Sequence, residues 1–240
     1  MNIVVIVMSN IHQHLNNISQ TLPSINFVGH LHLSSGKIHE IYGNSRTTLA
    51  LIIAQKMQGH IFWIRTEANL HLLNADGITD FINPGRLTFI NVKTFNDILW
   101  SMEETLRAGC IPLVISDLPE IPDFTTVRRL HLALKSRINN DKICLGLLLT
   151  PQQGGVRGIE SRWQFNANHT QFHTAWLLEC SKAKTIKLGR WKVIKESKSI
   201  DLMTKKTIIG QQTLFKKIPL KNNKLDNIIL KTNVISLNKS

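Results

Sequence analysis

A chain of 240 residues, 42% of them hydrophobic, is long enough to bury a core as one domain plus an appendage. Its net charge of +13 is lopsided: residues 1–120 carry 7 Lys+Arg against 9 Asp+Glu, and residues 121–240 carry 22 against 7. A half this basic points to a polyanionic partner, nucleic acid first, or to the Lys, Asn and Ile bias of the C-terminal end. No apolar run is long enough to span a membrane, and the run at residues 3–8 lacks the basic lead and the length of a signal peptide. Cys110, Cys144 and Cys180 are scattered and odd in number, so they read as small buried hydrophobes in a reducing cytoplasm.

In chain order, Ile11, Leu15, Ile18 and Leu22 recur at helical spacing before Pro23, so residues 1–35 read as an N-terminal helical segment ending in the Ser34-Ser35-Gly36 linker. Ile38 to Tyr42 is a short apolar strand, Gly43-Asn44-Ser45 a turn, and residues 47–57 a buried helix. Residues 60–65 form a second strand, 70–81 a helix broken near Asp76-Gly77, and 87–92 a third strand after Asn83-Pro84-Gly85. Phe95, Ile98, Leu99, Met102 and Leu106 mark an amphipathic helix over 95–108 that Gly109 stops. Strands at 111–115 and 143–149 flank a basic helix over 125–137.

Apolar strands alternating with helices predict an α/β fold with a mainly parallel central sheet flanked by helices. Residues 152–158 are a glycine-rich loop at a strand's carboxyl end, where such sheets place ligands. Then 161–165, 175–180 and 190–195 alternate as an antiparallel extension of the sheet, closing a core over 36–198. Residues 199–240 are too poor in apolar side chains to offset ordering entropy and read as a disordered basic tail.

Strand, tight turn, helix is the layout of a phosphate-binding loop, yet only Asn44, Ser45 and Arg46 separate Gly43 from Thr47. The second glycine and the lysine of that cradle are missing. The vestigial nucleotide site would comprise Gly43, Arg46, Thr47, Thr48 and Asp117, with Glu67 acting on water only if the chain is an ATPase. The shortened loop argues against both catalysis and an ATP–Mg cofactor. Arg157, Arg162, Arg190 and Lys192 are the candidate DNA contacts, with Trp163 and Trp191 beside two of them as stacking or core residues. Gln211-Gln212-Thr213-Leu214-Phe215 has the form of a docking peptide in which Gln211, Leu214 and Phe215 would engage a pocket. The histidine pairs lack companion ligands at metal-binding spacing, so no metal site is expected.

Residues 36–49 resemble the phosphate-loop strand and helix of the RecA recombinase core; residues 62–70 resemble its next strand, which ends in a catalytic glutamate, and Val114-Ile115-Ser116-Asp117 its aspartate-bearing strand. A closer resemblance, over roughly residues 30–196, is to the ImuA type, the RecA-like accessory proteins of bacterial damage-inducible mutagenesis. It rests on His39-Glu40, Pro84-Gly85-Arg86-Leu87, the helix from Asp97 to Arg107, Arg128-Arg129-Leu130-His131-Leu132-Ala133, and the Arg162-Trp163 and Arg190-Trp191 strands. The resemblance implies a RecA-like fold and a non-catalytic role in error-prone synthesis past DNA lesions. The implied partners are DNA, a Y-family-like polymerase homologue, an error-prone replicative-type polymerase, the sliding clamp and RecA. The implied location is cytoplasmic, at the nucleoid when engaged. The alternatives are a DNA-dependent ATPase of the recombinase class and a SulA-like cell-division inhibitor.

Overall fold

Short apolar strands separated by helical stretches can bury both faces only by lining up in parallel under two helical layers. The computed structural model, which describes residues 23–68, 73–135, 144–151, 153–171, 174–196 and 214–219, has this arrangement. In chain order its elements are β1 Ser24–Val28, β2 Leu31–Ser34, β3 Ile38–Tyr42, α1 Arg46–Gln55, β4 Ile61–Thr66, α2 Ala75–Thr79, a 3₁₀ turn Pro84–Arg86, β5 Leu87–Val92, α3 Phe95–Ala108, β6 Leu113–Asp117, α4 Phe124–Lys135, β7 Leu145–Leu149, β8 Ser161–Ala167, β9 Ala175–Ala183, β10 Gly189–Glu196 and β11 Leu214–Pro219. The main sheet runs β11-β10-β9-β8-β3-β7-β6-β4-β5, parallel from β5 through to β8 and antiparallel from β8 to β11.

Each face of the sheet has its own core. On one, α1 and the β1–β2 hairpin cover Ile41, Ile115, Leu147, Trp163 and Trp176; α1 is buried at every residue from Leu49 to Gln55, as befits a helix apolar all round. On the other, α3 and α4 cover Ile38, Ile64, Val114 and Leu148. The start of α3 is set by a capping box between Thr94 and Asp97, and its end by Gly109 at φ +66°. Arg86 fixes the β5 end by donating to the carbonyls of Gly59 (2.8 Å) and Met57 (2.6 Å).

Four expectations need correction. Residues 24–34 form a two-stranded hairpin turned at Gly29-His30, where the sequence reading placed helical segment and linker; residues 1–22 lie outside the described residues. The helix expected over 70–81 is only α2, capped by the Asn74 side chain. β8 runs parallel to β3 and so belongs to the parallel body, with the antiparallel part starting at β9. Residues 214–219, assigned to a disordered tail, pair with β10 over six register positions because Phe215 finds an aromatic slot; the rest of 199–240 lies outside the described residues. Of the cysteines, Cys180 is buried, Cys144 half-buried and Cys110 exposed, and burial pushes the thiols of Cys144 and Cys180 up to about 11.

His39 lies in the central strand with 1% exposure. The Ser34 carbonyl accepts from Nε2 (3.0 Å), so Nδ1 accepts from the Ser161 hydroxyl (2.7 Å), which in turn accepts from Trp163 Nε1 (2.8 Å). This chain is complete only with a neutral ring. Burial, ahead of the Ser34 bond that opposes it and the charges of His131, Lys37 and His32, lowers the His39 pKa to about 4. Between pH 6.5 and 4 the unfolded chain therefore takes up a proton that the native protein refuses, and stability falls by about 3 kcal/mol as pH drops through that window. Urea titrations at pH 7 and pH 4 should show this loss, and a His39→Asn variant should lose that share of the slope.

Candidate functional site

The residues expected to hold a nucleotide do meet at the carboxyl edge of the sheet. β3 delivers Gly43, the turn delivers Asn44 and Ser45, and α1 begins at Arg46. What they form is closed. The Asn44 amide donates to Asn166 Oδ1 (3.0 Å), the Ser45 amide to the Phe165 carbonyl (3.0 Å), and the Arg46 amide to the Gly43 carbonyl (3.3 Å). The Asn44 side chain locks the same contact by accepting from the Ala167 amide (2.8 Å). Gly43, at φ +104°, lies so close to β8 that an added Cβ would sit 2.5 Å from the Phe165 carbonyl oxygen. Three amides that would turn to a phosphate are spent on the neighbouring strand and the turn itself.

The side chains follow suit. Arg46 crosses over β7 and pairs with Asp117 at the end of β6, Nη2 to Oδ1 3.3 Å, both groups being largely shielded. A guanidinium thus occupies the position next to the aspartate where a phosphate loop would present lysine and a cation. Thr47 and Thr48 are half-buried in the first turn of α1. Glu67 lies just past β4, exposed, its amide bonded to the Val92 carbonyl (2.9 Å). Among the described residues no group of three or more His, Cys, Asp or Glu side chains is placed to hold a metal ion, and no helix is long and apolar enough to cross a membrane.

Beside this edge stands a second constellation that the sequence reading noted only as part of a resemblance. Glu40, fully buried in β3, accepts at Oε1 from Thr150 Oγ1 (2.9 Å), the Gly155 amide (2.8 Å) and the Val156 amide (3.2 Å), and at Oε2 from Arg162 Nε (2.5 Å). Arg162 also donates to the Val156 carbonyl (2.6 Å). The glycine-rich loop is therefore a fixed structure pinned to the central strand. A charge inside an otherwise apolar strand was the signal, because a buried carboxylate must find partners. Ile121 and Phe124, 43% and 53% exposed, border Gly155 and Gly158, and Arg157 is exposed on the same loop.

The expected DNA contacts divide. Arg157 is exposed, Arg190 is exposed and paired with Glu179 (2.8 Å), and Lys192 is half-exposed. Arg162 is committed to Glu40, with its side chain 21% exposed. Trp163 is fully buried, packed edge-on against Phe27 at 5.1 Å, so it is core and not a base-stacking platform; Trp191 is half-buried over it at 6.2 Å. In the docking peptide, Gln211 lies outside the described residues, Leu214 opens β11, and Phe215 is half-buried with its ring stacked on Phe81 at 6.0 Å.

One surface escaped the sequence reading. Between α3 and α4, Glu103 is buried and shared by two guanidinium groups: Arg107 at Oε1 (2.5 Å) and Arg129 at Oε2 (2.9 Å). With Leu132 and Ala133 they line a surface pocket, and Trp100 stands 62% exposed on α3. Exposed Trp and Arg side chains are the residue types that dominate protein interfaces. A helical wheel with Trp100 off the apolar stripe carried the signal.

No protein-family model matches the chain, and no curated protein is significantly similar to it.

Replacing Glu40 by Ala strands a partly buried guanidinium and two loop amides, and should cost about 3–5 kcal/mol. Urea denaturation of Glu40→Ala against wild type measures this; a loss below about 1 kcal/mol would mean that the loop holds itself.

Proposed function

We propose that this chain is a non-catalytic, RecA-like accessory protein of DNA damage-induced mutagenesis. It would act in translesion synthesis by holding DNA and polymerase or clamp partners together. The observation that carries the non-catalytic part is the Arg46–Asp117 pair above a turn whose three amides are already bonded. Phosphoryl transfer needs a phosphate cradle, a metal ligand and a group that orients water. Here the cradle is taken by β8 and the carboxylate by an arginine. Opening the site would mean breaking an ion pair and three hydrogen bonds before any nucleotide contact is made.

The accessory role draws on the resemblance to the ImuA type in residues 30–196, on the mostly parallel sheet with β3 at its centre, and on surfaces suited to partners. Those surfaces are the pinned glycine loop with Arg157, Ile121 and Phe124, and the α3–α4 face with Trp100. The partners would be DNA, a Y-family-like polymerase homologue, an error-prone replicative-type polymerase, the sliding clamp and RecA. For the clamp, Phe215 must leave its slot, since its ring is engaged within the sheet.

Two measurements test this reading. Purified protein with ATP, magnesium and single-stranded DNA should hydrolyse nothing above background; turnover that disappears in Glu67→Gln would replace the scaffold reading with the recombinase-class ATPase. DNA binding should weaken steeply as salt rises, and Arg157→Ala should lower the slope of log affinity against log salt by about 1 if that arginine meets a phosphate. An affinity indifferent to salt would remove DNA from the partners.

A further inference from the structure

The outermost strand of the antiparallel end is an unusual occupant of its place. β11 is joined to β10 only through residues 197–213, yet the two pair from Trp191↔Pro219 to Glu196↔Leu214. Two contacts hold it. Phe215 stacks on Phe81 at 6.0 Å and meets Trp176 at 5.9 Å; Lys217 lies over the Trp191 ring at 5.9 Å. Its charge is badly matched. β10 already carries Arg190, Lys192 and Lys195, and the register sets Lys216 diagonal to Lys192 and Lys217 diagonal to Lys195. Diagonal cross-strand neighbours are within reach of long side chains, so like charges there oppose pairing. Glu179 and Asp80 neutralise Arg190 and Lys195, which leaves Lys192 without a carboxylate among its described contacts.

We propose that the β10 edge, with the ring slot made by Phe81 and Trp176, is a strand-docking site for an extended acidic segment of a protein partner that carries an aromatic residue at the Phe215 register. In the free protein β11 is the placeholder. Main-chain pairing along an open edge supplies affinity and the ring slot supplies register, as in other strand-addition complexes. Acidic residues at the two lysine positions turn two repulsive diagonals into attractive ones. The tether gives β11 an effective concentration in the millimolar range, so a partner succeeds only by fitting better. Displacement then frees Leu214 and Phe215 for a pocket elsewhere. None of this depends on the role in translesion synthesis.

The test uses the full chain and two fluorescein-labelled peptides: residues 211–220 as they stand, and the same peptide with Lys216→Glu and Lys217→Glu. In polarisation titrations at low salt, Phe215→Ala protein should bind the acidic peptide roughly tenfold more tightly than wild-type protein does, because its own strand has lost its anchor. The acidic peptide should also exceed the unmodified peptide by roughly tenfold on that variant, an advantage that shrinks with salt. Adding Phe81→Ala to the variant should abolish the gain. Circular dichroism confirms that both variants are folded, and native chemical shifts for Trp163 in NMR spectra serve if it is ambiguous. Equal binding by wild type and Phe215→Ala would overturn the placeholder, and equal binding of the two peptides would overturn the acidic partner. Displacement of the acidic peptide by an equimolar DNA oligonucleotide would reassign the edge to nucleic acid.

Discussion

A carboxylate without access to water must collect its hydrogen bonds from the protein, and Glu40 does so in the middle of the central strand. Its four partners come from the end of β7, from the glycine loop and from β8. That choice ties together the three segments that would otherwise be free to vary at the carboxyl edge. β8 is held parallel to β3 with Arg162 opposite Glu40 in register, so the next residues of β8 arrive beside the turn after β3. There the Phe165 carbonyl and the Asn166 side chain take the turn's amides. The closed nucleotide site is thus a consequence of where β8 lies, and β8 lies there because of a buried ion pair. Such a pair adds little net stability over an apolar equivalent, but breaking it is costly, which makes it a device for fixing register.

The same logic explains why the Arg46–Asp117 contact is stable. An aspartate at a strand end facing the N-terminus of a helix would, in a working phosphate site, share its field with a metal ion. Without one, a single guanidinium from the first helical residue balances it at 3.3 Å, shielded enough that solvent screens the pair only in part. The site therefore has a low-energy closed state that needs no ligand. A protein built this way gains nothing from nucleotide, and its surface is released for other contacts.

Much of the fold was legible in the sequence because its parallel body is local in character. β3, β5 and α3 fall at the residues where apolar runs, turn residues and a Thr94–Asp97 cap place them. The β1–β2 hairpin was readable too: its strands alternate, and Gly29 at φ +57° supplies the turn. A helical pattern upstream obscured it. The site was legible as a set of residues and not as contacts. Gly43, Arg46 and Asp117 stood out singly, but whether Arg46 would face a phosphate or an aspartate 71 positions away depends on strand order, which no local pattern encodes. β11 lay beyond reach for a similar reason. Its flanks are polar, and its only anchor, Phe215, finds its slot in residues from α2's end and from β9.

The uneven charge acquires a physical place in this architecture. The parallel body has helices on both faces, so nearly every strand position there is apolar. Among the described residues, the core under α3 and α4 draws on no side chain of β9, β10 or β11, so this end of the sheet is covered on one face only. Trp191 and Val193 point into the covered face, and alternation puts Arg190 and Lys192 on the other, opposite Glu179 and the 40% exposed Leu177. An uncovered face of mixed apolar and cationic character costs nothing in buried charge and keeps the edge from pairing with copies of itself through repulsion. It also makes any partner that brings carboxylates, whether on a polypeptide or as phosphates on a nucleic acid, arrive there faster than at the neutral body. The basic half of the chain is therefore better understood as the working end of the molecule than as drift in composition, and the folded half as the frame that holds it in place.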